Sequence, residues 1–209
     1  MSVLSKLAGS LGRRDEQPNV DLAEALVKKR DAASIKELVN ALTGGAMAVQ
    51  NDAIKVLYEI GARKPDLVAS HAGAFLALLK SGNNRNVWGA LQALESIADL
   101  RAKELAAHLA EILHAADKGS VIAKDKPIAI LAKLAAAGFA KEAVPVLLAR
   151  LKDAAPNQFP MYAEQALAVV TPAHSLAFEA ILRARLAKIV PPSKRKRVEK
   201  VLKAVGAKR

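Results

Sequence analysis

The chain has 209 residues, no cysteine, 3% aromatic residues and a formal net charge of +12. The missing cysteine excludes disulfides, thiol nucleophiles and thiolate metal sites, and Lys or Gly interrupts every apolar run short of the roughly 18 residues a membrane-spanning helix needs. Alanine supplies 44 residues, which favours helix and close helix packing, and no sustained alternation of the kind that marks strands occurs.

Residues 1–18 are predicted as an N-terminal segment apart from the rest and partly disordered. Met1 to Arg14 spaces Val3, Leu4, Leu7 and Leu11 helically, carries Lys6, Arg13 and Arg14, and holds no acid. That pattern fits an organellar transit peptide or a frayed amphipathic helix before the first repeat, and its apolar stretch is too short for a secretory signal. Asp15 to Pro18 is a polar linker. Asn19 or Asp21 is the expected cap of a helix to about Arg30, and Ser34 caps the next through Leu42, where Gly44-Gly45 ends it. A helix from Ala46 to Ile60 is expected to stop at Gly61, with Pro65 beyond. The pair Asp66–Lys80 and Asn84–Ala98 follows, joined by the turn Ser81-Gly82-Asn83. Lys103–Ala116 pairs with a helix that begins at Ser120 or Asp125, or kinks at Pro127, and ends at Gly138. Lys141–Lys152 pairs with Met161–Val170. Thr171-Pro172 opens a helix to Ile189, Pro191-Pro192 breaks it, and Ser193 caps a last basic helix to about Val205.

These elements repeat. Ala53, Ile54, Leu57 and Ile60 align with Ala90, Leu91, Leu94 and Ile97 at a step of 37, and the same step leads to Ile128, Leu131 and Leu134. Val39 and Leu42 match Leu76 and Leu79, and a step of 36 reaches Leu167 and Val170. Self-similarity at this period marks an array whose units bury their apolar faces against their neighbours. The expected fold is all-α, with a repeat domain over 19–190 and a basic helix over 191–209 continuous with it.

Lys141 to Lys152, with Pro145 in the first helix of its pair, and Phe75 to Leu91 resemble HEAT repeats. The resemblance covers roughly residues 32–190. It implies a right-handed superhelix of about four to five antiparallel pairs, with second helices lining a concave surface. Two departures stand out: Ser81 or Asn83 replaces the usual turn acid, and Trp88 aligns where the family has an early Arg. Both put the family's ladder of stacked Asp–Arg contacts in doubt. Projecting Val87 to Ala98 at about 100° per residue gives a buried stripe of Val87, Ala90, Leu91, Leu94 and Ala98. Gly89, Gln92 and Ser96 point away from it. Their register partners are Asp52, Lys55 and Glu59 before, and Lys126, Ala129 and Lys133 after, so the inner row turns basic along the chain.

Trp88, the single tryptophan, shares a ridge with Asn51, Asp125 and Tyr162. It either fills the groove between adjacent repeats or offers an aromatic platform to a partner. Some HEAT-like proteins are alkylpurine DNA glycosylases whose clefts combine Trp, a carboxylate and Arg, but no arginine takes a matching position here. His71 and His108 occupy equivalent positions without the ligand set of a zinc site, and neither forms the His-Glu pair of iron-binding relatives. Gly44-Gly45 lacks the Lys-Ser/Thr of a phosphate loop, and no nucleophile elbow occurs. The expectation is a non-enzymatic chain with no metal or cofactor. The concave-face binding candidates are Trp88, Gln92, Asp125, Lys126, Lys133 and Tyr162.

Charge singles out the C-terminal end. From residue 183 onward stand Arg183, Arg185, Lys188, Lys194, Arg195, Lys196, Arg197, Lys200, Lys203, Lys208 and Arg209 against Glu199 alone. Residues 1–182 hold 21 basic and 19 acidic groups, a net of +2, which leaves +10 for the last 27 residues. Such a cluster neutralises phosphates and releases counterions, or it is a solubilising end cap. Pro191 to Val198 also resembles a nuclear localisation signal. Two functions follow: a scaffold that grips another protein on its concave face, and a DNA- or RNA-binding array whose basic end tracks phosphates. The expected location is the cytoplasm, or the nucleus in a eukaryotic host.

Overall fold

The computed structural model describes residues 2–119 and 121–206, the side chains of 121–124 excepted. Met1, the candidate helix start Ser120, and the terminal Lys208 and Arg209 lie outside the described residues. All regular structure among the described residues is helical. The chain divides into two compact units, Met1–Pro127 and Ile128–Arg209, with the boundary inside one helix.

In the first unit the α-helices are α1 (Gln17–Lys29), α2 (Ala32–Asn40), α3 (Met47–Arg63), α4 (Ala72–Leu78), α5 (Asn84–Ile97), α6 (Ala102–Ala107), α7 (Leu109–Lys118) and the start of α8 (Val121–Leu134). α1 packs on α3 and α3 on α5, while α2 and α4 flank α3 and α5. Ile54, Leu57 and Ile60 meet this core from α3, and Leu91, Leu94 and Ile97 from α5, all essentially inaccessible to water. The 37-residue pattern therefore marks the residues that bury the stack. Each apolar face is removed from water only by the next helix, as repeat packing requires.

Several boundaries differ from expectation, for identifiable reasons. α1 begins before Asn19, because Asn19 is fully buried and bonded elsewhere. Asp31, not Ser34, caps α2: its carboxylate accepts the Ser34 backbone N–H at 3.0 Å and the Ser34 hydroxyl at 2.8 Å. α3 runs through Gly61 to Arg63, because the glycine serves packing rather than termination. A Cβ on Gly61 would lie 2.3 Å from Ser96 Oγ, and one on Gly89 would lie 2.5 Å from Ile54 Cγ1. These two contacts sit two helical turns apart on both α3 and α5. Each helix gives one glycine to the crossing, which lets the backbones approach closely. The predicted stripe on α5 was accordingly too narrow: Asn86, Gly89, Ala93 and Ile97 are also buried and Val87 only half so. α5 touches α3, α4 and α7 rather than one neighbour.

The predicted helix Asp66–Lys80 is two short 3-10 turns, Pro65–Leu67 and Ala69–His71, followed by α4. The helix predicted over Lys103–Ala116 breaks at His108 into α6 and α7. α8 starts at Val121 and carries Pro127 internally, which overturns a start at Asp125.

Residues 2–12 fold against this unit as a 3-10 turn (Val3–Lys6) and further turns, not as the amphipathic helix expected. Val3, Leu7 and Ala8 are buried. Asn19 Oδ1 accepts the Ala8 N–H at 2.9 Å, Asn19 Nδ2 donates to Asp52 Oδ1 at 2.8 Å, and Asp52 Oδ2 accepts the Gly9 N–H at 2.7 Å. Glu37 accepts the Val3 N–H at 3.2 Å and the Ser2 hydroxyl. Backbone donors of this segment, the buried Ala8 N–H among them, thereby find acceptors on α1, α2 and α3.

In the second unit α8 ends at Leu134, short of the predicted Gly138, and passes into a π-helical stretch, Ala135–Phe139, in which Gly138 takes a φ of 101° that favours glycine. α9 (Ala140–Asp153), α10 (Phe159–Val169), α11 (Pro172–Leu186) and α12 (Pro192–Gly206) follow. α12 packs on α10 and α11, and α9 on the same two helices. Val198, Val201 and Val205 are the buried stripe of α12 and meet a core containing Phe159, Phe178 and Leu182. α12 starts at Pro192, so Ser193 lies inside its first turn instead of capping it.

Candidate functional site

The α1–α3–α5 stack carries a row of polar and aromatic side chains that crosses three helices. Lys55 of α3 is its hub. The ammonium lies 3.1 Å from Glu16 Oε2, 2.7 Å from Glu59 Oε1 and 4.8 Å from the Tyr58 ring centroid. Burial acts to lower the Lys55 pKa, but hydrogen bonds to Glu59, Tyr58 and Glu16 outweigh it and hold the group above its ordinary value. Burial raises the Glu59 carboxyl, and Lys55 and Arg63 more than reverse this. Arg63 pairs with Glu59 and reaches Glu24 of α1 at 3.1 Å, while Arg85 of α5 pairs with Glu16. The charges of this surface neutralise one another across helix boundaries.

Tyr58 leads to Trp88. Their rings meet edge to face with centroids 5.3 Å apart and planes at 85°, a favourable aromatic geometry. Trp88 is half-buried, and its indole N–H is buried with no hydrogen-bond partner among the described residues. Trp88 also lines a pocket of about 490 Å³ with Leu79, Val87 and Ala115, rimmed by Lys80 and Lys118. The sequence leaves two alternatives for Trp88, inter-repeat packing or an exposed platform; the ring packs edge to face on Tyr58 of the neighbouring helix and is otherwise half-exposed. Tyr58 was missed. It is seven residues after Asn51, which shares the Trp88 register position, and the offset between crossing helices carries it to the tryptophan.

The stacking contacts between repeats include one Arg–Asp pair, Arg30 Nη2 to Asp66 Oδ2 at 2.9 Å, and several amide contacts. Asn19 meets Asp52 between α1 and α3. Asn86 Nδ2 donates to Gln50 Oε1 at 3.0 Å and Asn83 Nδ2 to Asn51 Oδ1 at 2.7 Å between α3 and α5. Both departures noted in the sequence, Asn83 in the turn and Trp88 after it, thus have a structural counterpart.

The other predicted inner-face residues divide. Gln92 is half-buried on α5, one turn beyond Trp88. Lys126 donates to Glu95 Oε2 at 2.7 Å, which joins the start of α8 to α5. Asp125 is half-buried and engaged. Lys133 and Tyr162 belong to the second unit. Tyr162 is only 5% exposed and is part of that unit's core, so it is no surface contact. Ser96 and Gly89 do not point to an open face but into the α3–α5 crossing. His108 Nδ1 lies 3.1 Å from Glu111 Oε1, and His71 is half-buried, with burial and then Lys36 lowering its pKa. Among the described residues no group of three or more His, Asp or Glu side chains could hold a metal ion.

The second unit sorts the nine phosphate-binding candidates into two sets. Five have partners within the unit. Arg183 pairs with Glu179 and Arg195 with Glu199, each one turn away. Arg197 binds both carboxylate oxygens of Glu164 at 2.8 and 2.6 Å, joining α12 to α10. Lys194 donates to Asn157. Arg185 donates to the carbonyls of Lys152 and Ala154 at the end of α9 and lies over the Phe159 ring at 4.8 Å. That arginine satisfies orphan carbonyls at a helix C-terminus. The side chains of Lys188, Lys196, Lys200 and Lys203 are exposed and make no hydrogen bond or ion pair among the described residues, Lys200 acting on Glu164 only through its charge. The last three recur at i, i+4 and i+7 and so share one face of α12, opposite its valines.

The Arg197 hydrogen bond is the main cause that holds the Glu164 carboxyl below its ordinary value. A depressed carboxylate stabilises the fold above its ordinary value of 4.5 and loses that contribution as pH falls through the folded-state value. The melting temperatures of the native chain and a Glu164→Gln variant should therefore differ at pH 7 and converge as pH is lowered below 4. A gap that stays constant with pH would show the pair to be inert.

No family model matches the chain, and no curated protein matches it. Its fold matches solved repeat proteins. An engineered protein solved in structural genomics aligns with a TM-score of 0.65 and 20% identity, covering 99% of this chain and 98% of that one. A designed armadillo repeat protein aligns at 0.67 and 18%, covering 97% and 99%. A second designed armadillo repeat protein, solved in complex with the peptide (KR)4, aligns at 0.68 and 17%, covering 98% and 100%. At these identities the likeness concerns the fold alone: the chain is an all-α solenoid of repeated helix units. No helix among the described residues is long and apolar enough to cross a membrane.

Proposed function

We propose that the chain is a non-enzymatic, HEAT-like repeat scaffold that holds a segment of another protein on the α1–α3–α5 face, with Trp88 and Gln92 as contacts. The observation that carries this reading is the row Glu16–Lys55–Tyr58–Trp88. Its charges are already paired and its aromatic rings already fixed, so a partner would pay little to order it. Half-buried aromatics framed by satisfied polar groups have the anatomy of binding hot spots. The likeness to a designed repeat protein solved with a bound peptide supports the same reading. Cross-linking of the protein to captured partners, with mass-spectrometric mapping, tests it. Cross-links should converge on the exposed Lys80 and Lys118 at the rim of the Trp88 pocket, and partners attached only elsewhere would refute it.

The stripe of Lys196, Lys200 and Lys203 favours a second reading, contact with nucleic-acid phosphates. If it holds, the slope of log affinity for duplex DNA against log salt should shrink by about 2.7 when these three lysines become glutamine, at about 0.9 per phosphate contact. Replacing Arg183, Arg195 and Arg197 should change the slope less, because their charges are spent on Glu179, Glu199 and Glu164. Equal effects of the two triple variants would contradict the division.

A further inference from the structure

α11 is apolar on two opposite faces. Ser175, Phe178 and Leu182 point into the second unit and are buried. On the far side Ala177, Ala180 and Ala184 are exposed and Ile181 half so, recurring at i, i+3, i+4 and i+7. An apolar stripe along a helix is ordinarily covered by another element. Here the second face lines an open groove of about 760 Å³ that ends at Ile189. Leu176 and Val190, at 70% and 87% exposed, are among the few large apolar side chains the chain leaves in water.

Charge identifies what the groove would take. Lys152, Arg185 and Lys188 border it against the single acid Asp153. Residues 128–209 hold 15 basic and 5 acidic side chains, a net of +10, while residues 1–127 hold 17 and 15. The Lys188 side chain makes no hydrogen bond or ion pair among the described residues, so its charge faces the groove. A second copy of this unit would set its own Lys152, Arg185 and Lys188 against the same rim, and like charges oppose that pairing.

We propose that the α11 groove docks an amphipathic helix of a partner protein, whose apolar stripe lies on Ala177, Ala180, Ile181 and Ala184 and whose acidic flanks meet Lys188 and Lys152. Small side chains along α11 let a second helix approach closely, and the i, i+3, i+4, i+7 spacing is that of a helix-in-groove seam. This surface lies within the second unit and does not depend on the α1–α3–α5 reading.

The test uses the full chain and two 20-residue helical peptides that share one Leu/Ala stripe, flanked by Glu in one and by Lys in the other. Fluorescence anisotropy should show binding of the Glu peptide at least tenfold tighter than of the Lys peptide. Ala180→Glu places a charge in the groove at an exposed position where a helix tolerates glutamate, and should weaken the Glu peptide at least tenfold with an unchanged melting curve. Lys188→Glu should weaken it several-fold and flatten its salt dependence, and Trp88→Ala should leave it unchanged. The proposal is overturned if the Lys peptide binds equally well or if Ala180→Glu has no effect. It is also overturned if the native chain dimerises through this face, seen as concentration-dependent mass abolished by Ala180→Glu.

Discussion

Valine at position 89 should cost the fold about 2 to 3 kcal/mol, although glycine is a poor helix former and valine alone would gain a few tenths there. The reason is the α3–α5 crossing, where even a Cβ would come within 2.5 Å of Ile54 Cγ1. That neighbour is itself fully buried and cannot swing away. Ile54→Ala alone should cost about 2 to 4 kcal/mol through lost burial and a residual cavity. Combined, the two changes should cost at least about 1 kcal/mol less than their sum, since the added valine occupies the space the isoleucine leaves. Urea denaturation of the four proteins measures this cycle. Strict additivity would show that Gly89 is not at a close approach, and the α3–α5 geometry would fall with it.

Trp88→Ala should weaken a partner held on the α1–α3–α5 face by about 2 kcal/mol or more, roughly thirtyfold, as central aromatic anchors do. The effect has two parts. The partner loses the ring it packs on, and Tyr58 loses the edge contact that orients it, worth about 0.5 to 1.5 kcal/mol. Trp88→Phe should recover part of the affinity by restoring an aromatic edge, and Tyr58→Ala should show a smaller loss. Isothermal titration with the captured partner reads all three. Equal loss in Trp88→Ala and Trp88→Phe would assign the effect to the size of the indole rather than to an aromatic edge. Unchanged affinity in both would remove Trp88 from the interface.

The array was legible in the sequence because burial recurs along a helix and a repeat step carries it forward. Leu57 and Leu94 identify their helices without any three-dimensional information. What escaped was everything set by how two helices cross. Gly61 reads as a stop signal in one dimension, and only the approach of Ser96 shows that it is a packing residue. Tyr58 meets Trp88 because α3 and α5 are offset, and a register of 37 pairs Trp88 with Asn51 instead. Asn19 resembles a cap and is in fact a buried strut between Ala8 and Asp52.

The basic end shows the same limit. Composition locates the charge, and nine residues looked equivalent as phosphate ligands. Geometry divides them: Arg197 is taken by Glu164 and Arg185 by helix-end carbonyls, whereas Lys196, Lys200 and Lys203 share an open face. Net charge counts groups, and it cannot see which ones a fold has already used. The alanines of α11 were equally silent. In a sequence they signal helix, and only the structure separates Phe178, which is covered, from Ala180, which is not.

The fluorescence of Trp88 tests the central reading most directly, because the chain has no other tryptophan. A partner bound on the α1–α3–α5 face should shift its emission to shorter wavelength and reduce quenching by iodide at saturation. Emission and quenching that stay unchanged with the partner fully bound would contradict the account.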